Sequence, residues 1–156
     1  MTIGQNALGA AFAVATTKRL FSLGTVMASG EGGSYVYVQA NGAIAANDAV
    51  LLDEAYQAAP ASTTNTASAF GDLVGVAAAA MADNEYGWVQ RAGPCSLNVG
   101  SGCAVNTAIN STGTAGRLDD NAATGAEVIS GIVTTGAEAS NVAAAMLNWP
   151  TVGATL

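Results

Sequence analysis

The chain has 156 residues, enough for one domain that buries about 70% of its unfolded surface. Of its 51% hydrophobic residues, 35 are Ala, so setting aside Ala and the two Cys leaves 42 large apolar or aromatic side chains for a thin core, one that self-association would supplement. Four Lys and Arg against 11 Asp and Glu give a net charge of −7 with no His, which disfavours binding to phosphate backbones and removes the commonest general base and metal ligand.

Only 10% of the residues are charged, against about 25% in an ordinary soluble domain. With 19 Gly, the composition resembles that of extended structural proteins more than that of enzymes. No stretch approaches the 18 to 20 apolar residues that span a bilayer, so no membrane partner is expected. Residues 7–15 are apolar, but Lys18 and Arg19 follow them, the reverse of a secretory signal. The expectation is a protein made and used without export.

Residues 1–20 read as an N-terminal arm, small and sparsely charged, ending in Thr16-Thr17-Lys18-Arg19-Leu20-Phe21 and holding half of the positive charge. Residues 21–156 read as a single β-rich domain. Ser34 to Ala40 is the clearest strand, with Tyr35, Tyr37 and Gln39 on one face and Val36, Val38 and Ala40 on the other. A turn at Asn41-Gly42 leads to a short strand from Ala49 to Leu52, and residues 58–68 read as a polar loop. Residues 73–76 and 86–91 read as a hairpin about an Asp83-Asn84-Glu85 turn. Further strands are expected at 96–99, 104–109, 127–133 and 143–147. Turn signals every 8 to 12 residues predict a mainly β fold, a small β-barrel or β-sandwich. The Ala runs at 77–82 and 143–147 would each make a short helical turn on propensity alone, but isolated helices of that length are marginal, so they are read as strands. A spacing recurs: Gly75-Val76 lies 19 residues before Pro94, and Gly131-Ile132 lies 19 before Pro150, as if two hairpins repeated one plan.

No constellation for catalysis or a cofactor emerges. Ser101 sits in Gly100-Ser101-Gly102 with no His to activate it and is read as part of a tight turn. Cys95 and Cys103 fall out of register across a two-residue turn and opposite each other only across a three-residue one, where a disulfide would form; free thiols are the expectation. The glycines around Glu31 lack the Lys of a phosphate loop and read as a strand connection. Asp119-Asp120-Asn121 with Glu127 would offer oxygen ligands to a hard cation, but the spacing fails the EF-hand pattern and a loop tip is the plainer reading. Asn110-Ser111-Thr112 matches a glycosylation acceptor, meaningless without secretion. Trp88 and Trp149 are expected in the core; exposed, they would stack sugars or anchor a partner.

The runs 21–26 (FSLGTV) and 32–40 (GGSYVYVQA) resemble the opening of tailed-bacteriophage capsid decoration (cement) proteins. Residues 70–93 look similar to the central hairpin of that group, and 112–118 through Gly131-Ile132 to Pro150 fit its closing stretch. The resemblance implies a β-barrel or β-sandwich on the outer capsid surface of the virion, with the major capsid protein and further copies of itself, as a homotrimer, for partners. Thr16, Thr17, Lys18, Arg19, Leu20 and Phe21 are the expected capsid-contacting residues, the arm adding a strand to an exposed sheet edge. Removing residues 1–20 is expected to leave a folded domain that no longer attaches. The alternative is a head-fibre or tail-associated adhesin recognising host glycans, which an exposed Trp88 or Trp149 beside Tyr86 and Asn148 would favour.

Overall fold

The structure is a computed structural model that describes residues 6–7 and 10–156, with side chains from Ala11 onward; the part of the expected arm at 1–5 and 8–9 lies outside the described residues. The fold is mainly β. In chain order the strands are β1 (Asn6–Ala7), β2 (Ala10–Ala11), β3 (Val26–Ala28), β4 (Ser34–Ala40), β5 (Ala49–Leu52), β6 (Gln57–Pro60), β7 (Leu73–Ala77), β8 (Tyr86–Asn98), β9 (Asn110–Ser111), β10 (Leu118–Asp119), β11 (Glu127–Thr134) and β12 (Val142–Thr155), with one helical turn, α1 (Thr63–Thr66), after β6.

Five strands close a ring. β4 pairs with β8, β8 with β7, β7 with β5, β5 with β6, and β6 returns to β4 in parallel. The alternation in β4 directs Val36, Val38 and Ala40 into this barrel, where they meet Val50, Leu52, Ala58, Met81 and Val89. Tyr35 and Tyr37 face outward into an aromatic cluster with Phe12, Phe21, Tyr86 and Trp88. Each strand residue points opposite to its neighbour, so β5 and β7 serve two cores. Val50 and Leu52 face the barrel, while Ala49, Val74 and Val76 join a second cluster with Leu97, Ile109, Leu118, Ile129, Leu147 and Val152.

That second cluster is covered by β12, β11, β9 and β10. The far half of β8 pairs with β12, β12 with β11, β11 with β9 and β9 with β10, and a bridge from Val99 to Leu118 joins the end of β8 to β10. β8 is therefore common to both halves: Val89 enters the first core and Leu97 the second. The changeover lies at Gln90–Pro94, where Gln90 Nε2 donates to the carbonyls of Ala92 and Pro94 (both 2.9 Å) and Gly93 adopts φ +92°.

The hairpins expected at 73–91 and the strands at 34–40 and 49–52 form as the sequence indicated, and the Ala run at 143–147 lies inside β12. Four readings need correction. Residues 86–91 and 96–98 belong to one 13-residue strand, in which Pro94 stands opposite Met146 of β12, and Val99 follows it in the bridge to Leu118. The 58–68 loop contains the end of β6 and α1, whose Ser62 N–H is held by Asn65 Oδ1 (2.8 Å). Residues 104–109 form no strand, and 96–99 turn to β12 and β10 for partners instead. Only Ala77 of the 77–82 run is in β7; the rest makes the turn and a bridge from Met81 to Ile44.

Candidate functional site

The segment expected to contact a partner, Thr16 to Phe21, is laid across the outer face of β4 and β8. Single large residues in an otherwise small-residue stretch hold it there. Phe12, buried, stacks on Tyr35 at 4.1 Å and meets Trp88 edge-on at 5.1 Å. Phe21 packs against Tyr37 (5.2 Å) and Trp88 (5.3 Å). Thr16 exchanges both backbone hydrogen bonds with Tyr86 (2.9 and 2.8 Å), extending the sheet by one bridge beside β8. Between these anchors Thr17, Lys18, Arg19 and Leu20 face solvent. Their loop is braced from within: Thr16 Oγ1 donates to the Lys18 carbonyl (2.8 Å), Arg19 Nε to the Phe21 carbonyl (2.9 Å), and the Tyr37 hydroxyl accepts from the Leu20 N–H (3.1 Å). Leu20 is 60% exposed at the lip of a small cleft (110 Å³) that it shares with Val14, Phe21 and Trp88. The six expected residues are thus together, four as an exposed turn and two as its half-buried anchors. Phe12 belongs to both the expected arm and the aromatic cluster, so removing residues 1–20 would also open that cluster.

Trp88 is 2% exposed, as the core reading expected; Trp149 is not in the core. It is 45% exposed, in the left-handed region at φ +49°, with the Arg91 guanidinium carbon 5.5 Å from its ring centre. Nothing in the composition separates the two tryptophans. The one signal is the repeat spacing, which sets Trp149 where the earlier hairpin has Gly93, a position of positive φ.

The reactive groups sit in environments that suppress reactivity. Burial pushes the Cys95 thiol up to about 12, and burial with the neighbouring Asp120, Asp119 and Glu138 also raises Cys103; both cysteines are free. A raised thiol pKa keeps sulfur protonated and poorly nucleophilic at neutral pH. Cys103, Asp119 and Asp120 bring ligand atoms within 4.8 Å of one another. Burial and the Asp120 side chain raise the Asp119 pKa. Glu127, the fourth oxygen donor expected there, is instead buried and accepts from Thr155 Oγ1 (2.8 Å). Asn110 of the glycosylation triplet is buried too, its amide nitrogen donating to the Ser111 and Asn121 carbonyls (3.1 and 3.2 Å).

No protein-family model matches the chain, and no characterised protein or solved structure is significantly similar to it.

Proposed function

We propose that this chain is a structural, non-enzymatic virion protein that binds the outer surface of an icosahedral phage capsid and stabilises it by bridging adjacent capsomers. The observation that carries the reading is the braced Thr17–Leu20 turn. Two of the chain's four cations and an exposed Leu are held on a rigid aromatic base, on a body that is otherwise strongly acidic. A preorganised basic and apolar turn suits an acidic partner surface, because little ordering is left to do on contact. The resemblance of residues 21–40, 70–93 and 112–150 to capsid decoration proteins points the same way, as does a core thin enough for self-association as a homotrimer to add to it. Repetition on a closed shell raises effective concentration, so each contact can be modest.

The test is cosedimentation of the purified chain with phage heads assembled from the major capsid protein of the same genome. Reversing charge in Lys18→Glu with Arg19→Glu should leave the circular dichroism spectrum unchanged and reduce attachment by at least tenfold. Equal attachment by the double variant would remove the turn from the interface.

A second reading, a glycan-binding module, is favoured by one specific observation: the half-exposed Trp149 ring beside exposed Asn148. Binding on a glycan array that is lost in Trp149→Ala would move the assignment to it.

A further inference from the structure

Arg91 and Trp149 stand at irregularities in two different strands. β4 pairs with β8 at Ser34–Ala92 and then at Tyr35–Gln90, which leaves Arg91 as the extra residue of a bulge. β11 pairs with β12 at Ser130–Thr151 and then at Ile132–Leu147, so Gly131 alone opposes Asn148, Trp149 and Pro150. Bulges re-aim side chains and recur beside functional sites. Here they aim two side chains at each other across the seam where β7 and β12 meet through the Leu73–Thr151 pair. Gly75 makes the room: a Cβ there would lie 3.2 Å from Arg91 Cδ and 2.2 Å from a Val89 methyl.

The Arg91 side chain is 4% exposed. Its hydrogen bond among the described residues runs from Nη2 to the Pro150 carbonyl (3.0 Å), and Nε is buried with no partner. Burial lowers its pKa, and the group that opposes the shift is the Tyr56 phenol, not a carboxylate. Asp53, on the β5–β6 turn before Tyr56, is occupied by the N–H groups of Ala55 (2.9 Å) and Gln57 (2.8 Å). A buried guanidinium ordinarily has an acid beside it. This one, in a chain with 11 acids, has an indole over it instead.

The indole is itself held at a cost. An L-residue at φ +49° is strained by about 1–2 kcal/mol, and half of the ring remains in water, so burial within the chain does not explain it. Strain of this kind concentrates at binding sites. Two further exposed apolar side chains belong to β12 and to the turn before β7. Met146 is 43% exposed beside a 300 Å³ depression floored by Gly131, Ile132 and Val133. Phe70, 79% exposed, stands on the turn whose Gly71 N–H donates to the Val152 carbonyl (2.8 Å), three residues beyond Trp149. Trp, Met, Phe and Arg are the residue types enriched at protein interfaces.

We propose that the β7–β12 seam is a docking site for a protein segment that carries a carboxylate next to a large apolar residue, the apolar group packing on Trp149 and the carboxylate reaching the Arg91 guanidinium. An incoming acid supplies the counter-ion that the fold omits, and the charge-assisted hydrogen bond strengthens as the partner excludes water. The site does not depend on the partner being a capsid.

The experiment uses the ¹⁵N-labelled full chain and two blocked pentapeptides, acetyl-Ala-Leu-Glu-Leu-Ala-amide and its Gln counterpart, following the Trp149 indole N–H and the Arg91 Nε–H resonances. The Glu peptide should move both resonances saturably. The Gln peptide should bind at least tenfold more weakly, and Trp149→Gly, which places glycine in a conformation glycine favours, should lose the Arg91 Nε–H response while staying folded. Equal response to both peptides, or to neither, overturns the proposal. Shifts that follow protein concentration alone would assign the seam to a second copy of the chain, and shifts with methyl glycosides but not with the Glu peptide would assign it to a sugar; either result also overturns it.

Discussion

The hairpins β7–β8 and β11–β12 follow one plan and differ in what covers them. Each carries a Gly-aliphatic pair within its first strand and a proline in its second, Pro94 and Pro150, preceded by a residue of positive φ. In the first hairpin that residue is Gly93, where a Cβ would come 2.7 Å from the Gly32 carbonyl oxygen. In the second it is Trp149, half in solvent. On the outer face, Trp88 of the first hairpin is roofed by Phe12 and Phe21 from the N-terminal segment, whereas Ala144, in the corresponding place, lies bare. The same spacing of Gly and Pro therefore sits under a covered outer face in one hairpin and a bare one in the other. Where the chain covers itself the residues are those that packing demands, and where it does not, a strained aromatic residue is retained.

The largest expected break in that contrast is Trp88→Ala. It empties the centre of the aromatic cluster and should lower the free energy of unfolding by about 3–5 kcal/mol, read as a shift in urea midpoint at unchanged slope. The change at Ala144 to Gly, the matching outer position, should cost about 1 kcal/mol or less. Next comes Gly93→Ala, for which backbone strain together with the Gly32 contact predicts a loss of about 1–3 kcal/mol. Its mirror, Trp149→Gly, sharpens the comparison. Relief of the left-handed strain offsets the lost cation–π contact and glycine's extra chain entropy, so stability should change by less than about 1 kcal/mol in either direction. A large loss there would show that Trp149 is a packing residue after all.

The smallest effect belongs to Asp119→Asn. The Asp119 carboxyl has a raised pKa in the folded chain through burial and Asp120, so its ionisation works against folding at neutral pH. For the native residue stability is regained as pH falls through that raised value, and the Asn variant should melt slightly higher at pH 7 with no advantage at pH 3. Thermal melts at the two pH values check the sign.

How much of this was legible in the sequence depends on the range of the interactions involved. The two faces of β4, the β5 strand, the Asp83-Asn84-Glu85 turn and the mainly β class follow from alternation and turn chemistry within a few residues. The repeat spacing also marked both hairpins before any pairing was known. The Thr16 to Phe21 group is contiguous, so its residues were found together, but its bracing by Tyr37 and Tyr86 comes from β4 and β8. The 104–109 strand failed because a run of suitable residues has no ladder unless a neighbour is free, and 96–99 was already taken by β12. The seam formed by Arg91 and Trp149 escaped notice altogether. Its residues lie 58 positions apart in the chain, and neither sits in a motif.

By itself the sequence determined the β class, the poverty of the core, and the acidic body with its paired cations Lys18 and Arg19. These are properties of composition and of neighbours along the chain, where dihedral preferences and side-chain period act. Only the tertiary structure decided that one 13-residue strand would serve two cores, that Trp88 would be buried and Trp149 left half in water, and that a guanidinium would be enclosed without an acid. Those outcomes depend on which strand edges meet and where a bulge turns a side chain, and strand pairing at long sequence separation leaves no local trace.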